Sequence, residues 1–126
     1  MKARLITAFA ALALVAGAAA PALAHHSFAM FDFQASKSVT GTVEQFDWTN
    51  PHTFIWLEVP SASGATERYG FEGMSPNYLG RRGWSKSTLK PGDKVTVTFH
   101  PLKDGSKGGT YQKVTLSDGK ELANIG

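Results

Sequence analysis

Apolar and polar residues alternate through most of the chain beyond residue 36, with the two-residue period of strands that bury one face. The clearest run is 52–59. There Ile55, Leu57 and Val59 share one face, while His52, Phe54 and Trp56 share the other. The pattern predicts five strands, at 37–48, 52–59, 66–72, 94–101 and 110–116. In the first, Val39, Gly41 and Val43 keep one parity, after which Phe46 and Trp48 take the other. A parity switch beside a strand glycine predicts a β-bulge or strong coil, the device by which small barrels curl. In the third strand Tyr69 and Phe71 oppose Arg68 and Glu72; in the fourth Val95, Val97 and Phe99 are expected inward and His100 outward.

The breaks between runs carry turn chemistry. At 49–51 Pro51 has no backbone donor and restricts Asn50. The segments 60–65 and 89–93 read as polar turns, and Asp104-Gly105 with Gly108-Gly109 bound a hairpin loop. Ser75 before Pro76 is a helix start, with a short helix expected at about 76–82, Tyr78 and Leu79 inward, and Gly83 as its stop. After Ser117-Asp118-Gly119 a short tail is expected. Five strands with one short helix between the third and fourth is the element order of an OB-type barrel. The expected fold is therefore mainly β, a small five- to six-stranded antiparallel barrel at residues 37–126.

Residues 1–24 break this pattern and read as a secretory signal peptide. Lys2 and Arg4 precede an Ala- and Leu-rich run, and Ala22-Leu23-Ala24 is a small-x-small cleavage site. The competing reading is a membrane anchor. The run is short, Pro21 interrupts its end and a cleavage site follows, so no transmembrane anchor is expected after cleavage. The expected location is the bacterial periplasm or the medium. Residues 25–36 carry Phe28, Met30, Phe31 and Phe33, and are expected to dock on the barrel.

Cleavage changes the charge. The full chain has 13 basic and 10 acidic residues; loss of Lys2 and Arg4 leaves 11 against 10, a net of +1. That balance lacks the basic footprint of a nucleic-acid partner. Cysteine is absent, which excludes disulfides, thiolate metal sites and a Cys nucleophile. The mature domain of about 100 residues must rest on its core alone, a size that suffices.

The stretches HHSFAMFD, GTVEQFDWTNPH and LKPGDKVTVTFHPLKDG, taken together, resemble a family of small exported bacterial proteins of unknown function. Its marks are a His-His-Ser-Phe start after the signal, a Trp-x-Asn-Pro-His corner and a late Pro-Gly-Asp turn. They fall here on His25, His26, Phe28, Asp32, Gly41, Trp48, Asn50, Pro51 and His52. His100 is not among them. The resemblance implies export and a β-barrel. It implies no reaction.

Two chemistries fit these residues. The first is a copper site. A cut after Ala24 would make His25 the first residue, able to chelate through its α-amine and an imidazole nitrogen. His26 and His52 would complete a nitrogen set suited to Cu(II), with Met30 and Met74 as soft donors for Cu(I). Imidazole suits zinc as well. The plain alternative is that His25 and His26 are a polar start and His52 a structural corner. The second chemistry is a binding face for a protein, peptide or small ligand on Trp48, Phe54 and Trp56, with Phe46 and Tyr69 in the same aromatic set, as OB barrels use aromatic faces for stacking. Its alternative is that those rings are core. Arg81 and Arg82 are candidates to hold an anion, or simply a solvated helix end. No phosphate loop, Gly-x-Ser-x-Gly or zinc-protease motif is present, and the acids are scattered. The expectation is a non-enzymatic protein.

Overall fold

The computed structural model describes residues 28–125. The predicted signal segment, and His25 and His26 with it, lie outside them. The barrel unit begins at Phe31. It contains strands β1 (Lys37–Asp47), β2 (Phe54–Pro60), β3 (Thr66–Glu72), β4 (Lys94–Pro101), β5 (Gly108–Thr115) and β6 (Glu121–Ala123), with one short helix, α1 (Pro76–Gly80), between β3 and β4. Among the described residues no helix is long and apolar enough to cross a membrane.

The sheet runs β3-β2-β1-β4-β5-β6, and a parallel pairing of β3 with β5 closes the first five strands into a barrel. This is the OB arrangement. β1 makes it possible because its two halves have different partners. Lys37 to Thr42 pair with β4, and Thr42 to Asp47 pair with β2. The register slips between Val43 and Gln45. An extra residue bends a strand and inverts the side-chain parity beyond it. Val43 therefore points into the core before the slip, and Phe46 packs against the core after it.

Closure between β3 and β5 needs bare backbone. Gly70 pairs with Gly108 and Phe71 with Gly109. Gly108 has φ 138°, and a Cβ there would overlap the Gly70 carbonyl. Only glycine meets both conditions.

The inward positions of every strand feed one core: Val43, Ile55, Leu57, Phe71, Val97, Tyr111 and Val114 are almost wholly buried. Each such side chain contributes about 1.5–3 kcal/mol by burial. α1 covers the core with Leu79; Ser75 caps it by accepting from Tyr78 N–H, and Pro76 opens its first turn. The helix ends at Gly80, two residues short of expectation, and Arg81 is its C-cap. The irregular segment after it contributes Trp84 and Leu89, both buried, for which no periodic signal exists.

The predicted tail is instead β6, paired with β5 from Lys113↔Ala123 to Thr115↔Glu121. Its end locks the core through hydrogen bonds. Asn124 donates its Nδ2–H to Tyr111 O at 2.7 Å and accepts from Met74 N–H at 2.8 Å. Trp84 donates its indole N–H to Ala123 O. Thr53, wholly buried, bonds both Met74 O and the Tyr111 hydroxyl. Burial pushes the Tyr111 phenol well above its ordinary range, outweighing the opposing bond from Thr53.

Ahead of β1, Phe31 is buried and bridges to Leu102, Asp32 N–H donates to Pro101 O, and Phe33 remains exposed. His100, expected outward, is half-buried against the ring of Phe33 and donates from Nδ1 to Ala35 O at 2.7 Å.

Candidate functional site

The corner between β1 and β2 sets the position of His52. The Asn50–Pro51 peptide is cis, and Thr49 Oγ1 donates to His52 O at 3.2 Å. Thr53 then anchors the chain to the core, with Thr53 N–H donating to Met74 O and Gly73 N–H donating to Thr53 O. β2 starts at Phe54, so His52 precedes the strand that the sequence pattern had it begin. It keeps the expected outward face.

His52 Nδ1 lies 3.1 Å from Gly73 O. A carbonyl only accepts, so Nδ1 carries a proton and Nε2 is the nitrogen left to face Glu72. Nε2 stands 3.5 Å from Glu72 Oε1, and the two side chains are 40% and 24% exposed, so solvent reaches the pair. Two electron-rich atoms at this distance repel unless a proton sits on Nε2 or a cation lies between them. Donors each about 2.1 Å from one metal ion, at a tetrahedral angle, stand about 3.4 Å apart. A backbone carbonyl on the far nitrogen is also the usual support for a metal-ligating histidine. His52 and Glu72 form an ion pair when the imidazole is protonated, and their spacing would also suit two donors of one tetrahedrally coordinated ion. Among the described residues no group of three His, Asp or Glu side chains converges to hold such an ion.

The other candidates lie elsewhere. His25 and His26 are outside the described residues. Met74 packs its side chain against the core cluster, away from the role of a free thioether. Arg82 lies over the Tyr78 ring at 3.8 Å, and Arg81 is exposed.

The proposed aromatic face divides in two. Phe46 and Trp48 stack edge-on, and Phe46 continues to Trp84 at the core boundary. Phe54 and Trp56 stay on the outer face of β2, half-buried, with rings near parallel and centroids 6.0 Å apart. The division follows from register. Phe46 stands opposite inward Ile55, and Asp47 opposite outward Phe54.

Trp56 is held on several sides. Its indole N–H donates to Asp47 Oδ2 at 2.9 Å, and Gln45 Nε2 donates to the other oxygen of the same carboxylate. The Arg68 guanidinium covers the ring at 3.9 Å and binds Glu44 at 2.7 Å. Around Phe54 and Trp56 the acids Glu44, Asp47, Glu58 and Glu72 face one fixed cation, Arg68. The rim is therefore acidic.

Glu72 was only one of several scattered acids in the sequence reading. A signal for it existed. The β2–β3 hairpin keeps one register from Pro60↔Thr66 to Phe54↔Glu72. Counting back from the turn places Glu72 beside the outward face of Phe54 and His52.

No curated protein and no solved structure matches the chain. A family pattern does match, over residues 11–112. With most of the barrel inside that match, the chain belongs to the family of unknown function DUF6152.

Proposed function

We propose that this is an exported, non-catalytic module that binds a transition-metal ion, with Cu(II) and Zn(II) as the candidates. His52 supplies the barrel's imidazole and Glu72 an adjacent oxygen donor. His25 and His26, the other imidazoles that the sequence reading offers for a metal, lie outside the described residues. The observation that carries the reading is the orientation of His52: its Nδ1 is committed to Gly73 O, and its Nε2 lies 3.5 Å from Glu72 Oε1. The signal-like residues 1–24 support export.

The test uses the chain beginning at His25, titrated with Cu(II) and followed by electron paramagnetic resonance, with Zn(II) as competitor. His52→Ala and Glu72→Gln are measured alongside. One tight site is expected, with nitrogen hyperfine structure that loses one coupling in His52→Ala. Glu72→Gln should weaken binding at least about 10-fold, because loss of a direct donor costs no less than loss of a group that only supports one. Binding that is absent, or indifferent to His52→Ala, would end this reading.

A second reading rests on a different observation. Phe54 and Trp56 lie half-exposed on the β2–β3 face, where OB barrels bind ligands, inside an acidic rim. That face suits a cationic peptide or small ligand, and Trp48 is not part of it. Titration with a lysine- and tyrosine-containing peptide should change the Trp56 indole N–H resonance. An unmoved resonance at millimolar peptide would dismiss it.

A further inference from the structure

The first residues of β1, Tyr69 of β3, the end of β4 and the loop between β4 and β5 enclose a cavity of about 360 Å³. That volume lies within the range of small-molecule sites, which run from about 300 to 1,000 Å³.

Its lining is divided by chemistry. Val39, Tyr69, Phe99 and Leu102 supply the apolar surface, and Lys37 and Lys107 supply the charge. No acidic side chain lines it. Lys107 binds Glu67 at 3.0 Å, while Lys37 makes no ion pair among the described residues. The hydroxyl of half-buried Tyr69 makes no hydrogen bond with the described residues. Phe71 and Phe99 support its ring, at centroid distances of 6.0 and 6.5 Å.

We propose that this cavity binds a small amphipathic anion, an aryl or medium-chain alkyl carboxylate or sulfonate. The apolar body rests on Val39, Tyr69, Phe99 and Leu102. The acid group meets the Lys37 ammonium at the rim, and the Tyr69 hydroxyl is the available neutral donor. An anionic occupant fits because the charged side chains lining the cavity among the described residues are Lys37 and Lys107, and Lys37 makes no ion pair there. Its body should be apolar because the rings of Tyr69 and Phe99, with Val39, Pro101 and Leu102, form the apolar part of the lining. The site uses none of the residues of the His52 corner.

The probe is 8-anilinonaphthalene-1-sulfonate, titrated by fluorescence into the signal-free protein, with octanoate and octanol as competitors. Saturable binding of one probe per chain is expected, with octanoate displacing it and octanol at least about threefold weaker. Lys37→Gln should weaken octanoate about three- to tenfold, and high salt should reduce that gap as it screens a rim charge. Ser106→Trp places a large ring at the exposed mouth and should abolish binding with the melting temperature unchanged. His52→Ala should leave binding as it is, so this site and the metal site stand or fall separately. Binding that survives Ser106→Trp in a folded protein, or octanol competing as well as octanoate, would overturn the proposal.

Discussion

Trp56 stands in the space that a side chain at residue 70 would need: a Cβ on Gly70 would come within 2.6 Å of Trp56 Cζ3. The two residues are paired across β2 and β3. A bare backbone at Gly70 lets the indole lie against β3, where Asp47 takes its N–H and Arg68 covers it. Gly70 serves the outer face with space, and the barrel closure with its carbonyl against Gly108.

Gly70→Ala should therefore displace the indole. A loss of about 1–3 kcal/mol is expected, the usual cost of overpacking. Tryptophan emission should shift to the red as Trp56 loses its cover. Unchanged stability with unchanged emission would show that the ring moves freely, and that the contacts with Asp47 and Arg68 do not hold it.

Asn124 offers a sharper test of the C-terminal lock. Its side chain satisfies Met74 N–H and Tyr111 O while itself buried. Asn124→Ala leaves both backbone groups without that partner, at about 1–3 kcal/mol each. Urea unfolding should show a loss of about 2–6 kcal/mol. A loss below about 0.5 kcal/mol would mean that water replaces the side chain and that β6 is not a structural clasp.

Tyr111 predicts a pH dependence. Its phenol titrates from an ordinary value of 10.0 in the unfolded chain and from well above that value when buried. Between the two values the unfolded state has lost the proton that the folded state keeps. Stability is therefore fully present below about pH 10 and falls above it, by up to about 1.4 kcal/mol per pH unit from this group. Tyr111→Phe should cost about 1 kcal/mol at pH 8 through the lost bond to Thr53, whose hydroxyl keeps Met74 O. The gap between the two proteins should narrow or reverse by pH 11.5 in urea unfolding. A constant gap would contradict the burial argument.

Much of this fold is legible along the chain because strand signals are local. The parity switch from Val43 to Phe46 announces the slip in β1, since side-chain direction alternates along any single strand. Thr66–Glu72 and Lys94–Pro101 carry clean alternation and form strands with the expected limits. The Ser75-Pro76 start is equally local, because the cap bonds to an N–H three residues on. Of the candidate site, the outward direction of His52, Phe54 and Trp56 follows from the same alternation.

Other features depend on partners remote in sequence. Trp84 and Leu89 lie in a segment without period, and only the shape of the core above α1 draws them in. β6 is three residues long, too short to announce itself, and exists because β5 has a free edge. Phe46 and Trp48 separate from Phe54 and Trp56 because the registers of two strand pairs, not one, decide which rings share a face. The cavity beside Lys37 is bounded by β1, β3, β4 and the loop between β4 and β5, four pieces remote from one another in sequence.

The sequence by itself thus determined the element order, the inward and outward faces and the turns, all set by backbone geometry within a few residues. The tertiary structure decided the closure of β3 on β5, the pairing of His52 with Glu72, and the clasp at Asn124. Each of these brings together groups from different strands or turns. Their distances depend on how the whole sheet coils, and no window along the chain carries that information.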